Sequence, residues 1–271
     1  MDSDPGLFDA DSVTWRIHLD PSFAVGGLRA LLLQALHPLA MAAVEQNGGF
    51  ESDPWGRLTR TSEYLATITF GTGAEARRAA ARVRGVHRRL RGTDPFTGAE
   101  FRVDRPDLLL WVHCCEVDSL LSTAIRGGVR LTDDDADGYV AEQVQSAELV
   151  GLPASSVPAT RRQMADYFVE MRPDLKLTPA ASRGARGVLA PPMPGWVQWL
   201  TPARPAWGSL AALSLGLLPG WARRMYRLPG LGLTDLAATG ALRALRTGAL
   251  ALPERLTQGP VVQAALARHI A

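Results

Sequence analysis

Lysine is almost missing from this sequence. Lys176 is the only one, so nearly all positive charge is arginine and no lysine amine can serve a site in the first half of the chain. Cysteine is as scarce. Cys114 and Cys115 are adjacent, a spacing that would strain a disulfide and that lacks the CxxC form of a zinc site, so neither is expected and a reducing compartment fits. The formal net charge is only +2 and no run of five basic residues occurs, which argues against a nucleic-acid surface. The opening residues MDSDPGLFDADS carry neither a basic n-region nor an apolar h-region, which sets the expectation of a cytoplasmic protein. Long apolar runs are lacking too. The nearest, Ala206 to Trp221, is shorter than the roughly 20 residues of a spanning helix and is interrupted by Pro219. A buried helix or a peripheral membrane contact is expected there, and a transmembrane span is not.

Strand patterns are also missing: no stretch alternates apolar and polar residues for long enough, which leaves an all-α fold. With 46% hydrophobic and 21% charged residues in 271, the composition is that of one globular domain. The core spans about 20–172, and a C-terminal helical subdomain of about 173–271 packs on it, where PPMPGW (191–196) and TPARPAW (201–207) make proline and glycine dense. GGLRALLLQALHPLAMAAVEQN is apolar on nearly every face and reads as a central helix broken or kinked near Pro38. Asp53 and Pro54 supply an N-cap and an N1 residue for a helix that stops at Gly71. Another starts near Thr72 and ends at Gly92, and Thr93 to Asp104 reads as a loop. A long buried helix opens at Pro106. Three aspartates after Thr132 suit the positive end of a helix running to Gly151, and Pro158 to Met171 supplies a further one.

Three of the five histidines, His37, His87 and His113, fall on separate helices within the first 113 residues. A lone histidine on an apolar helical face is more often a satisfied core group than a ligand; three on packed helices make a shared site worth weighing. On the helix from Pro54, Arg57, Arg60, Thr61 and Tyr64 share one face, extended by Leu65 and Ile68. Two guanidiniums on a buried stripe need an anionic or hydrogen-bonding answer, which solvent, Asp53, Glu45 or Glu63 could give, as could a bound anion. His87 lies on the apolar seam (Val83, Ala80, Leu90) of an otherwise arginine-rich helix, which suits a neutral imidazole ligand. His113 points inward among Leu109, Leu110 and Val117, and its ring reads equally as ligand, pocket group or core histidine. The neighbouring cysteines raise a thiolate ligand as a rival, although in mid-helix they suit packing better.

In order along the chain, GGLRALLLQALHPL, DPWGRLTRTSEYLATITFGT, RVRGVHRRLRG and DRPDLLLWVHCCEVDSLL resemble hallmark segments of the family of latex-clearing protein and the MpaB-type oxygenases, with residues 20–170 best covered. The resemblance implies a globin-like helical core enclosing haem b, with His87 as axial ligand to the iron. It also implies that Arg57, Arg60 and Thr61 stand on the distal side, where they would orient oxygen or a propionate. His113, His37 and Arg57 are the further cofactor-binding candidates. Arg60 departs from the pattern, because the family has a lysine there that can ligate iron and a protonated guanidinium has no lone pair to offer. An open or water-bound sixth site is therefore expected. The glutamate base of rubber cleavage has no aligned counterpart; Glu45 and Glu51 are merely near.

The function these readings imply is a haem-dependent oxygenase or oxidase acting on a small apolar or amphipathic substrate with dioxygen or peroxide, served by a redox partner. Two alternatives stand beside it. One is a non-catalytic haem protein that senses or carries a gas or haem. The other is a haem-free binder of lipids or isoprenoids, against which the lack of a DDxxD motif counts, since Asp133–Asp135 opens a helix without the second half of such a motif.

Overall fold

The structure, a computed structural model, describes residues 4, 6–48, 53–228, 232–253 and 258–270, so Glu51 lies outside the described residues, as does the side chain of His269. The chain starts with a short helix, α1 (Val13–His18), capped by the Ser12 hydroxyl, and continues into α2 (Phe23–Gln34) and α3 (Pro38–Gln46). The apolar run does break at Pro38, where α2 and α3 meet at 100°. A proline at N1 and His37 as N-cap allow α3 to begin afresh in a new direction. Next come α4 (Pro54–Phe70), opened by Asp53 as the sequence predicts, and α5 (Gly73–Arg89), where Thr72 and Glu75 form a reciprocal capping box.

The expected loop at Thr93 to Asp104 contains a strand. β1 (Arg91–Thr93) pairs antiparallel with β2 (Glu100–Arg102), placing Gly92 opposite Phe101. Three-residue strands are too short to leave an alternating pattern in the sequence. Asp94 builds the turn, accepting from Phe96 N–H and Thr97 Oγ1, and Gly98 takes φ +73°.

α6 (Pro106–Gly127) ends at Gly128, which adopts φ +90°. It is long and apolar enough to cross a membrane by length and composition, yet it is the molecule's central strut: Trp111, Cys114, Val117 and Leu120 are buried. It packs along α2, and at Gly26 a Cβ would come within 3.1 Å of Leu120, so the two backbones approach closely only because glycine stands there. The predicted helix to Gly151 is two, α7 (Asp133–Glu142) and α8 (Val144–Val150), broken at Gln143, a buried residue whose amide donates to Thr14 Oγ1 at 2.8 Å.

α9 (Arg161–Met171) is followed by α10 (Pro179–Leu189), α11 (Gly195–Leu200), α12 (Ala203–Gly216), α13 (Gly220–Met225), α14 (Gly232–Leu250) and α15 (Pro260–Ile270). These later helices sit on the earlier ones: α10 on α3, α12 on α2, α14 on α6 and α15 on α4. Buried Arg29 of α2 ties three segments together, donating to the Leu217 carbonyl (3.0 Å), Asp118 (2.8 Å) and Ser119 (2.7 Å). The apolar stretch from Ala206 divides between α12 and α13 with buried Leu217 and Leu218 at the joint.

Candidate active site

A cavity of about 120 Å³ lies between α4, α5, α6 and α8. Each helix presents the face its spacing allows. Tyr64, Leu65 and Ile68 come from α4, Val83 and His87 from α5 at i and i+4, and Leu109, Val112, His113 and Glu116 from α6. Two anchors fix the walls: Arg84 donates to the Leu149 carbonyl, joining α5 to α8, and His18 closes the far end with both ring nitrogens engaged, by Thr69 Oγ1 at 2.7 Å and Tyr139 OH at 3.0 Å.

His87 and His113 therefore face one cavity from different helices, and they differ in kind. His87 is half-buried, and burial lowers its pKa. His113 is 8% exposed, burial pulls it down to about 4, and its Nε2 has no hydrogen-bond partner. Both imidazoles are thus uncharged at neutral pH and keep a lone pair. A buried ring nitrogen left unsatisfied is costly and points to a ligand that the protein alone does not supply.

Glu116, one turn beyond His113, also faces the cavity, and burial pushes its carboxyl up to about 7. Burial raises the Tyr64 and Tyr139 phenols, and the nearby Glu116 charge raises them further, so both stay protonated. The site thus combines lone-pair donors, the Tyr64 hydroxyl and one carboxyl that gains or loses a proton near neutrality, within walls of leucine, isoleucine and valine joined by Thr69, Gln143 and Ser146.

Other sequence candidates lie elsewhere. Arg57, Arg60 and Thr61 are not among the residues lining the cavity: Arg57 is half-buried, while Arg60 and Thr61 are exposed, Arg60 pairing with Asp53 at 3.0 Å and Thr61 donating to the Arg57 carbonyl. The stripe they begin does reach the site, one turn later, at Tyr64. His37 is set apart as the N-cap of α3, its Nδ1 accepting from Ala40 N–H at 3.4 Å with its ring beside Trp111. Glu45 is bound to Arg183 at the surface. Cys114 and Cys115 are buried thiols whose pKa burial raises, and neither is among the residues lining the cavity. Glu116 was not singled out from sequence, although the spacing His113-x-x-Glu116 puts both on one helical face.

The class is an all-α protein, helical but for one short hairpin, with a cavity between α4, α5, α6 and α8 lined by histidines and a carboxyl. The sequence model of the family described as ER-bound oxygenase mpaB/B′/rubber oxygenase, catalytic domain, matches residues 15–250, and the chain belongs to that family. It is an oxygenase-family catalytic domain, as the four ordered segments implied. No curated protein and no solved structure matches it.

Proposed function

We propose that this domain is a haem-b-dependent oxygenase acting on a small apolar or amphipathic molecule, with His87 holding the iron. The observation that carries the reading is the pair of neutral imidazoles on one cavity, one of them with a buried nitrogen that meets no partner. The donor set fits a haem better than a bare ion. Among the described residues no group of three or more His, Cys, Asp or Glu is placed to hold a metal ion, which favours a metal that brings most of its coordination with it, as a porphyrin does. When bound, haem would supply the oxygen-activating redox chemistry.

The chain's own residues do the rest. Leu65, Ile68, Val83 and Leu109 exclude water and suit an apolar substrate. Glu116 takes up or returns a proton at its carboxylate oxygen near neutral pH. Tyr64 keeps its phenolic proton and donates. Arg57, Arg60 and Thr61, lying before Tyr64 on the same helix, would meet the polar edge of a group larger than the cavity. Dioxygen or peroxide and an external electron donor complete the reaction.

The unpartnered Nε2 favours one second reading, in which His113 is the axial ligand. Absorption spectra of the haem-loaded chain and its variants decide. With His87 as ligand, His87→Ala loses the Soret band or shifts it strongly, while His113→Ala keeps the ligand signature. The reverse pattern moves the ligand to His113, and a wild-type chain that takes up no haem overturns the reading altogether. Oxygen consumption by the reduced, loaded protein with apolar substrates separates an oxygenase from a carrier.

A further inference from the structure

Away from the cavity, the described surface exposes large apolar side chains in several places, among them Leu233 and Leu236 on α14, but only one such group contains a pair of tryptophans close in sequence. It is α11 and its end, where Trp196, Trp199 and Leu200 are 67%, 75% and 81% exposed. The segment does not hang free. Beside it Trp207 of α12 donates to the Val188 carbonyl and stacks edge-on against Trp55, whose own indole donates to the Pro192 carbonyl. The proline-rich segment leading into α11 is thus fixed to α4, α10 and α12.

The stretch of sequence that carries it is one-sided in charge, and the nearby exposed carboxylate of Asp53, two residues before Trp55, is paired with Arg60. Between Asp174 and Asp235 the sequence has no aspartate or glutamate. Over the same stretch Arg186, Arg204, Arg224 and Arg227 are exposed, and the Arg204 guanidinium lies 5.7 Å from the Trp199 ring centroid. Tryptophan is the side chain best suited to the boundary between headgroups and acyl chains, because its ring is apolar while its indole N–H can reach polar groups. An arginine stacked on it adds attraction to anionic headgroups at that depth.

We propose that the α11 tip docks this protein peripherally on an anionic lipid bilayer, with Trp196, Trp199 and Leu200 entering the interface and Arg204 meeting the headgroups. A second copy of the chain fits the patch less well. A twofold contact there would set Arg204 near its own mate, with no carboxylate from this stretch to answer it. The dock does not depend on haem. Trp55, which holds the segment leading into α11, lies on the first turn of the helix that nine residues later gives Tyr64 to the cavity, about 14 Å along the axis.

Flotation of the full-length chain with vesicles of phosphatidylcholine alone, and of phosphatidylcholine mixed with phosphatidylserine, tests the dock. The expected result is flotation with the mixed vesicles, weaker flotation with the neutral ones, and weakening by salt. The double variant Trp196→Ser, Trp199→Ser should lose roughly tenfold or more in partitioning. Arg204→Ala should lose severalfold on mixed vesicles and little on neutral ones. Circular dichroism checks that the variants fold, and Leu200→Asp repeats the measurement should the double variant misfold. The proposal is overturned if the wild type stays unbound with both vesicle types, or if the variants float as well as the wild type. It also fails if the wild type forms a vesicle-free dimer that the double variant abolishes, which would assign the patch to a second copy.

Discussion

At the scale of single residues, the cavity makes this protein's stability depend on pH in two opposing ways. His18 and His113 have folded values of about 3 and about 4 against an ordinary 6.5. Between about 4 and 6.5 the unfolded chain binds more protons at these two groups, so their effect is to lower stability as pH falls through that window. Glu116 runs the other way. Its carboxyl is raised from 4.5 to about 7, so the folded state keeps a proton that the unfolded state releases, and its effect is to lower stability as pH rises from 4.5 to 7. Glu116→Gln, which mimics the protonated form, is therefore expected to match the wild type near pH 4 and to exceed it by about 2 kcal/mol near pH 8. Urea melts at the two pH values check this, and an equal difference at both would show that burial does not set this carboxyl. His113→Phe is expected to flatten the loss of stability on acidification between about pH 6.5 and 4, read by the same melts.

At the scale of elements, the helix starts were the most legible feature because their signals are local. Asp53-Pro54, Thr72 with Glu75, and Thr132 with Asp135 each combine a cap and a first-turn residue within four positions, and each begins a helix. Thr72→Ala breaks the box at the start of α5, the helix that carries His87. It is expected to cost about 1 kcal/mol in a urea melt. The elements misjudged from sequence depend on partners distant in the chain. The split of α7 from α8 at Gln143 coincides with an amide bond to Thr14, 129 residues away, which no local window contains. The short hairpin depends on Phe101 covering Gly92, a fit of two residues rather than a pattern. The site divides the same way. His87 and the Tyr64 face were readable from spacing, whereas Arg57, Arg60 and Thr61 share Tyr64's stripe but lie toward its solvent end, because helical periodicity gives a face and not how far along it burial begins.

At the scale of the whole molecule, the later helices are joined to the earlier ones by buried charge as well as by apolar packing. Arg29 contacts α6 and the Leu217 carbonyl, Arg126 of α6 reaches Asp235, and Arg223 meets the same aspartate at 2.7 Å. Arg29→Ala would leave Asp118 and Ser119 without this donor and the Leu217 carbonyl with only the longer bond from Arg126 at 3.4 Å. It is expected to cost about 3 kcal/mol or more and to speed limited proteolysis between α12 and α14. Unchanged cleavage there would mean that apolar packing alone holds the C-terminal helices. By itself the sequence determined the helical class, the helix starts and the family, because caps, proline positions and ordered segments are written in neighbouring residues. Only the tertiary structure decided which of the candidate histidines share a cavity, that Glu116 joins them, and that the tryptophans of α11 face outward. Each of those facts depends on what lies across a gap between helices far apart in the chain, and there burial sets both proton affinity and exposure.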